Sequence, residues 1–571
     1  MEKKIIERLF EKGVLVSKEL SEKGIDDSLF NKIKLEADLI VLNSDYATII
    51  HQESSLVDWY EVDKYRVEAE RDNDELYQVQ LQQFKESNLK LVSGIDNQNQ
   101  TISSLETSLE KPEINFSLGS ESNLSENENK IEHQIENTTN NEIDPLDLVL
   151  EQPSSSVTLV YSYVNIPRKY VVQDFTNFFV TRYKFLEGLL RNRQELSSPL
   201  AINRLQGKKE KEKVSLIGLV DEIGETRNGN IIFTLEDITG RIKIFVSKNN
   251  KKLFQSAKDL VVDEVIGISG QSSENIVFSD NIVWPDIAPR EIKKGIKEEY
   301  AIFLSDIHVG SMLFLEKEFE RFLRWIRGES ANEAQRDIAN KVKYIIIAGD
   351  LVDGIGIYAS QEEELKFPDI KEQYKEFCRL IKQIPLNKEI IICPGNHDAV
   401  HLAEPQPAFN KEFCPDLFEL PNVILVTNPS MVNIGKTKDF SGFDILLYHG
   451  YSFDYYVANV ESIRTNGGYH RADLIMKFLL KRRHLAPSFK STPYYPSHFE
   501  DPLLIKKIPD FFVTGHIHYS CVANYRGVTM ISGSCWQGKT NFQEKLGHEP
   551  EPARVPVVNL MTREIKVLRF M

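Results

Sequence analysis

The sequence predicts a multidomain α+β chain: an N-terminal helical unit, a disordered linker, a small β-barrel and a layered α/β unit carrying the chemistry. Three observations predict it. The 571 residues exceed what one hydrophobic core supports, and at roughly 150 residues per domain they make about three or four units. A fifty-residue stretch within the first third abandons globular composition. Beyond residue 300, short apolar strands end one after another in Asp, Asn or His.

Composition narrows the function classes before any motif is read. Lys and Arg total 69 against 85 Asp and Glu, a formal net charge of −16. Wrapping duplex DNA by charge alone calls for a basic chain, so that class is disfavoured. A cleft can still draw phosphate through bound metal. The start, Met1-Glu-Lys-Lys-Ile-Ile-Glu-Arg8, lacks an apolar run of signal-peptide length. No stretch approaches the ~18 apolar residues of a membrane span. The five cysteines (Cys378, Cys393, Cys414, Cys521 and Cys535) are odd in number and never spaced C-x-x-C. That disfavours a disulfide framework and a thiolate zinc site, and the expected setting is the reducing cytoplasm, away from membranes.

Residues 1–70 read as a small helical domain. Ile5, Ile6, Leu9 and Phe10 share one helical face, and Asp26-Asp27-Ser28 before Leu29-Phe30 forms a helix start. Residues 71–155 read as an acidic linker, largely disordered. Its centre, Asp96 to Pro145, holds nine Asn, seven Ser and nine Glu against two Lys and one aromatic, Phe116. Such a segment buries too little apolar surface to offset its ordering entropy. Residues 156–212 connect onward through a strand, Val157–Val164, and a helix from about Asp174 to Arg193. Phe175, Phe178, Phe179, Leu186, Leu189 and Leu190 lie on one side of that helix, with Arg182, Arg191 and Arg193 elsewhere. It packs on its own chain or contacts a partner or DNA.

Residues 213–290 predict a five-stranded barrel. Strands at Val214–Ile223, Ile231–Glu236 and Arg241–Val246 are followed by a helical piece near Leu253–Leu260, then strands at Glu264–Ser269 and Ile276–Trp284. Three strands, a helix and two strands in this length suit the Greek-key barrel of the OB-fold. Arg241, Lys243, Lys248, Lys251 and Lys252 cluster on or after the third strand. They form a DNA-binding face or an ordinary solvated one, and Phe233 and Phe245 stack bases or fill the barrel core.

The chemistry lies beyond. Ala301–Ser305 runs into Asp306-Ile-His308, Lys343–Ala348 into Gly349-Asp350-Leu-Val-Asp353, and Glu389–Cys393 into Pro394-Gly-Asn396-His397-Asp398. Asp444–Tyr448 runs into His449-Gly450, and Pro509–Thr514 into Gly515-His516-Ile-His518. Ligand sites of layered α/β folds lie at such carboxyl ends. Residues two apart on an extended chain point the same way, so each pair reaches one site. Asp350 has two oxygens and can bridge two cations. Oxygen and imidazole without thiolate suit manganese, iron or zinc. Two cations about 3.5–4 Å apart hold a hydroxide for in-line attack on phosphorus. Asp353 and Asp398 are expected to brace the loops.

The order D-x-H, G-D-x-x-D, G-N-H-D, H-G, G-H-x-H resembles that of the calcineurin-like metallophosphoesterases. The resemblance implies a layered β-sandwich flanked by helices over 296–571. It implies a first metal on Asp306, His308 and His518, a second on Asn396, His449 and His516, and a bridging Asp350. His397 would stabilise the transition state or protonate the leaving oxygen, so Asp350 and His397 are the catalytic candidates. Protein phosphatases of this superfamily carry Arg and Glu where this chain has Gly354 and Asp398, which counts against that branch.

Four segments narrow the resemblance: Gly349–Tyr358, Cys393–Val400, Ala403-Glu-Pro-Gln-Pro407 and Leu480-Lys-Arg-Arg-His-Leu-Ala-Pro487. With the barrel in front, residues 157–571 resemble the small subunits of archaeal D-family DNA polymerases. This implies a proofreading 3′→5′ exonuclease acting on single-stranded or mismatched 3′ ends. It also implies two divalent ions, manganese foremost with magnesium, iron and zinc as alternatives. The implied partners are a large polymerising subunit, DNA, and further replication factors such as a sliding clamp and a primase. Related eukaryotic B-subunits have largely lost their ligands, whereas here every ligand position is filled. A non-catalytic scaffold and a stand-alone metallophosphodiesterase are the rival readings. The basic run Lys481-Arg482-Arg483-His484 either guides a DNA strand or ends a solvated helix. Tyr494, Tyr495 and Trp536 stack a frayed base or belong to the core.

Overall fold

The computed structural model describes residues 15–16, 41–42, 47, 50, 156–163, 169–205, 211–496, 500–546 and 549–571. The chain divides into two compact units, 1–137 and 138–571. In the first, Leu15–Val16 and Val41–Leu42 pair in parallel, and Leu42, Ala47 and Ile50 are buried. The other expected features of residues 1–70, and the acidic linker up to residue 155, lie outside the described residues. All remaining described residues belong to the second unit.

The barrel of that second unit is built from β2 (Lys213–Glu225), β3 (Ile231–Asp237), β4 (Gly240–Val246), β5 (Val265–Ser273) and β6 (Ile276–Val283), with α2 (Lys251–Ala257) between β4 and β5. It closes in the order β2-β3-β4-β6-β5. Alternate residues of β3 (Ile231, Phe233, Leu235) and β4 (Ile242, Ile244, Val246) fill the interior, as period-two strands require. Phe233 is therefore core and cannot stack a base. Phe245 lies on the other face, its ring 5.3 Å from that of Phe278.

Two six-stranded sheets form the rest. The first runs β10 (Val423–Leu425), β9 (Glu389–Cys393), β8 (Val342–Ala348), β7 (Tyr300–Leu304), β16 (Arg554–Asn559) and β17 (Ile565–Arg569). The second runs β14 (Cys521–Tyr525), β15 (Val528–Ser532), β13 (Phe511–Thr514), β12 (Phe443–Leu447), β11 (Ser430–Ile434) and β1 (Val157–Tyr161). β1, expected only to connect, is an edge strand of the second sheet, antiparallel to β11.

The uninterrupted run Tyr344-Ile-Ile-Ile-Ala348 explains how the sheets stack. Tyr344, Ile346 and Ala348 join Phe303, Ile391, Ile445, Leu447, Phe511 and Val513 in a core drawn from both sheets. Ile345 and Ile347 point the other way, among residues of α3 (Glu316–Ile326) and α5 (Ile370–Ile381). On the far side, Leu446 and Phe512 pack with α6 (Phe453–Asn459) and α8 (Ala472–Arg482). Strands buried on both faces read as continuous apolar runs. Each such Ile contributes roughly 1.5–3 kcal/mol.

The helix expected from about Asp174 is α1 (Val172–Arg191). It packs Tyr183, Leu186 and Leu190 against Ile217 and Val265 of the barrel and against Leu504. Arg182 is not left to solvent. It is buried, donating to Asp501 at 2.7 Å and to the Pro487 carbonyl at 2.8 Å. Among the described residues, no helix is long and apolar enough to cross a membrane.

Candidate metal centre

Strands β7, β8 and β9 are mutually parallel, as are β12, β13 and β15. The loops leaving the carboxyl ends of β7, β8, β9, β12 and β13 carry the predicted ligands. The chain there is not extended. Asp306, His308, Asp350, His516 and His518 have φ of 51°, 54°, 53°, 72° and 54°. Left-handed backbone is uncommon outside glycine and clusters at functional sites. Each pair therefore meets through alternating left-handed residues, while Ile307 and Ile517 between them are buried in the two outer cores. Cross-bonds hold this geometry. Asp306 N donates to the Gly349 carbonyl at 3.0 Å, Ile307 N to the Asp350 carbonyl at 2.7 Å and Trp536 N to the Asp306 carbonyl at 2.8 Å.

The side chains converge. His518 Nε2 lies 3.4 Å from Asp306 Oδ1 and 3.0 Å from His308 Nε2. His449 Nε2 lies 3.3 Å from Asp350 Oδ2 and 3.0 Å from Asn396 Oδ1, which is also 3.0 Å from His516 Nδ1. His308 and His397 approach Asp350 Oδ2 to 3.9 and 4.0 Å. Three His/Asp triplets (306/308/518, 306/350/449 and 308/353/397) each bring ligand atoms within 4.8 Å of one another.

Hydrogen bonding decides what this cluster can hold. His449 Nδ1 donates to the Ala348 carbonyl at 2.7 Å. In the neutral ring Nε2 then carries only a lone pair, and it faces two acceptor oxygens. Such a lone pair beside two oxygens fits a cation, which would take the place of the proton that Asp350 otherwise holds on the ring. Burial opposes charge on His449, yet Asp350 overrides it and holds the imidazole up to about 10. Asp350 itself, despite burial, is held well below the carboxylate range by His449 and His397.

Outer partners fix the rings, as imidazole ligands commonly require. Asp353 Oδ1 lies 3.2 Å from His308 Nδ1, and the Asp353 carbonyl accepts from His397 Nδ1 at 2.7 Å. Asp454 Oδ2 lies 2.9 Å from His516 Nε2, and the Gln543 amide lies 2.8 Å from His518 Nδ1. Gln537 and Gln361 donate to Asp353 at 2.7 and 3.1 Å. Asp398 accepts from Gly395 N, Asp350 N and the Tyr374 hydroxyl at 2.8, 2.9 and 3.0 Å. Both acids brace the loops, as expected. Burial and then the Asp350 charge push Asp398 up to about 7. Asp454, Gln361, Gln537, Gln543 and Tyr374 belong to none of the five motifs, so no spacing in the chain announced them.

Gly395 is required by close approach. A Cβ there would lie 2.2 Å from Asp350 Oδ1 and 2.8 Å from His449 Cε1. Gly515 stands similarly, 2.6 Å from Asp306 Oδ2.

The expected DNA contacts fare differently. Arg482 and Arg483 are buried. Arg482 Nε lies 2.7 Å from Glu264 Oε2 of the barrel, and Arg483 donates to the carbonyls of Ile505 and Lys506. These guanidiniums pack the molecule together and present no face to a strand. Lys481 Nζ sits 3.5 Å from the centroid of Trp284. Burial, then Arg482, pushes its ammonium down to about 8. Arg241 and Lys243 are exposed on the barrel, Arg241 within 3.4 Å of Asp221 and 3.2 Å of Glu236. Trp536 is wholly buried beside Phe319, so it cannot stack a base. Tyr494 packs on Phe178, and Tyr495 stacks on Tyr170 with centroids 5.4 Å apart.

Two sheets face to face, helices outside, a closed barrel and a buried carboxylate–imidazole cluster define a multidomain α/β protein with a candidate centre for divalent ions. Residues 301–522 match the family model of the DNA polymerase alpha/epsilon B-subunits. A DNA polymerase II small subunit from Methanothermobacter thermautotrophicus is 39% identical over 388 residues, 68% of this chain and 78% of that protein. One from Pyrococcus furiosus is 36% identical over 404 residues, 70% of this chain and 64% of its own. The chain thus spans less than two thirds of the second relative's length. This chain belongs to the family of archaeal DNA polymerase II small subunits. Among solved structures, one titled as a novel archaeal phosphodiesterase aligns with 47% of this chain and 98% of its own at 14% identity. Its TM-score of 0.21 is too low to bear on the fold.

Proposed function

We propose that the chain is the nuclease subunit of a two-subunit replicative polymerase, removing nucleotides from single-stranded or mismatched DNA 3′ ends by a two-metal mechanism. The observation that carries this reading is the convergence of buried carboxylate, amide-oxygen and imidazole ligand atoms on one cluster. In this reading residues 296–571, with β1 added at the sheet edge, are a calcineurin-like metallophosphoesterase domain, and 213–290 an OB-fold. Asp306, His308 and His518 would hold one ion, Asn396, His449 and His516 the other, and Asp350 both. When bound, two such ions supply Lewis-acid charge to a phosphodiester and acidify a water molecule. Manganese heads the candidates, with magnesium, iron and zinc behind it.

The protein's own part is positioning and proton transfer. With Nδ1–H given to the Asp353 carbonyl, His397 turns Nε2 toward the cluster. Burial lowers the pKa of His397. A proton on Nε2 is loosely held and passes readily to the leaving 3′-oxygen. The 3′→5′ polarity follows from the family. The large polymerising subunit and DNA are the proposed partners, with a sliding clamp and a primase as further contacts of the assembly. Arg241 and Lys243 remain the barrel residues proposed to meet DNA.

The test compares wild type with Asp350→Ala and His397→Ala on 3′-labelled and 5′-labelled single strands, with manganese and with chelator, alone and with the large subunit. Metal-dependent shortening from the 3′ end, lost in both variants, is expected. If wild type cuts nothing in either form, the cluster is structural and the chain a scaffold.

A further inference from the structure

The segment Ala403-Glu-Pro-Gln-Pro407 supplies none of the proposed ligands, yet its Gln406 is buried, as is Asn428 in the loop between β10 and β11. Their backbones pair. Gln406 N donates to the Asn428 carbonyl at 2.7 Å and Asn428 N to the Gln406 carbonyl at 3.1 Å. Their side chains extend the pairing into the candidate centre. Gln406 Nε2 donates to the Gly395 carbonyl at 3.1 Å and to the His401 carbonyl at 3.2 Å. Gln406 Oε1 accepts from Asn428 Nδ2 at 2.7 Å, and Asn428 Oδ1 accepts from His449 N at 2.9 Å. The His449 carbonyl in turn accepts from Gly515 N at 2.8 Å.

This line of bonds runs beside one ligand set. Gly395 precedes Asn396, His449 is itself a ligand, and Gly515 precedes His516. Those three are the proposed ligands of the second ion, and Asn396 Oδ1 lies 3.0 Å from both His449 Nε2 and His516 Nδ1. Asn396 follows β9 of the first sheet, whereas His449 and His516 follow β12 and β13 of the second. Strand ladders fix spacing within a sheet; here two side chains bridge loops that belong to different sheets. The line calls for amides. It begins at a carbonyl, an acceptor, and ends at a backbone N–H, a donor. Each side chain between them must donate on one side and accept on the other, which Gln and Asn do and ionised Glu and Asp do not. The fixed ends also settle which atom of each amide is the oxygen.

We propose that Gln406 and Asn428 are positioning residues for the second ion, holding Asn396 and His449 at coordinating distance across the two sheets. The proposal rests on the two-ion reading and deepens it, making the affinity of the second site depend on residues outside the ligand set.

The test follows manganese uptake by the full chain, by calorimetry and by electron paramagnetic resonance. Wild type is expected to bind two ions whose spins couple through the shared Asp350. Gln406→Met keeps the length of the side chain and removes its hydrogen bonds. It is expected to hold the first ion as wild type does and to bind the second about 10–100-fold more weakly. At the concentration that just saturates wild type, it should show the uncoupled signal of a single manganese. Asn428→Leu, which leaves His449 N without its acceptor, should do the same, and it decides alone if Gln406→Met fails to melt cooperatively. Both ions bound by the folded variants as by wild type, or both weakened equally, overturns the proposal and leaves the two-ion reading intact. A wild type that binds fewer than two ions removes that reading and the proposal with it.

Discussion

Asp353 serves two imidazoles at once, by its carboxylate at His308 Nδ1 and by its carbonyl at His397 Nδ1. It lies outside the proposed ligand set, yet it decides which nitrogen of each ring faces the cluster. Asp353→Asn keeps the size and removes the charge. We expect manganese affinity, read by calorimetry, to fall about 10–100-fold, with thermal stability little changed. Unchanged affinity would show that His308 is oriented by its backbone alone. Asp398 works at the same scale by another route, tying Gly395, Asp350 and Leu351 through backbone N–H groups.

At the scale of elements, the loops after β8 and β9 are so close that Gly395 is in contact with Asp350 and His449. Gly395→Ala must displace one of them. Metal binding is expected to fall at least tenfold, with a stability loss on the order of 1–3 kcal/mol, measured by calorimetry and denaturant melts. A variant that binds metal as wild type does would mean the loops have slack. The strands themselves were legible because each is a continuous buried run ending in a ligand type, a pattern that needs no partner to be seen. The barrel was legible from its period of two. The left-handed turns were not, since Asp and His tolerate αL without favouring it enough to signal it. Neither was the burial of Arg482 and Arg483. A basic run looks alike whether solvent or a barrel covers it, and Glu264 stands more than two hundred residues earlier. The membership of β1 in the second sheet is likewise a long-range pairing, invisible in Val157–Tyr161 alone.

For the whole second unit, two buried charge clusters join the barrel and its helix to the sandwich. In one, Arg482 meets Glu264, which also accepts from the Trp284 indole N–H and from Val261 N, each at 2.8 Å. Breaking such a pair from one side leaves a buried charge, so Glu264→Ala is expected to lower stability by about 3–5 kcal/mol, with Glu264→Leu/Arg482→Met recovering much of it in urea melts. A double variant no better than the single would show that specific geometry, rather than desolvation, dominates there. In the other cluster, Asp501 Oδ2 receives Arg182 Nε and His484 Nε2, each at 2.7 Å. His484 Nδ1 accepts from Ala486 N at 2.9 Å. Both ring nitrogens are therefore satisfied in the neutral form, and a second proton would have to face an N–H donor. Burial, and then the Arg182 charge, accordingly push His484 down from 6.5 to about 4. A lowered folded pKa means that the unfolded chain takes up the proton first as pH falls. Stability from this group is full above pH 6.5 and drains away as pH falls from 6.5 to about 4, by at most about 3 kcal/mol. Asp501, held below the usual carboxylate range by His484 and Arg182 despite its burial, adds a further loss below its ordinary 3.8. Urea midpoints of wild type should thus decline between pH 6.5 and 4, and those of His484→Gln should decline less steeply. Parallel curves would mean that acid lability arises elsewhere and that this cluster stays locked while other groups titrate.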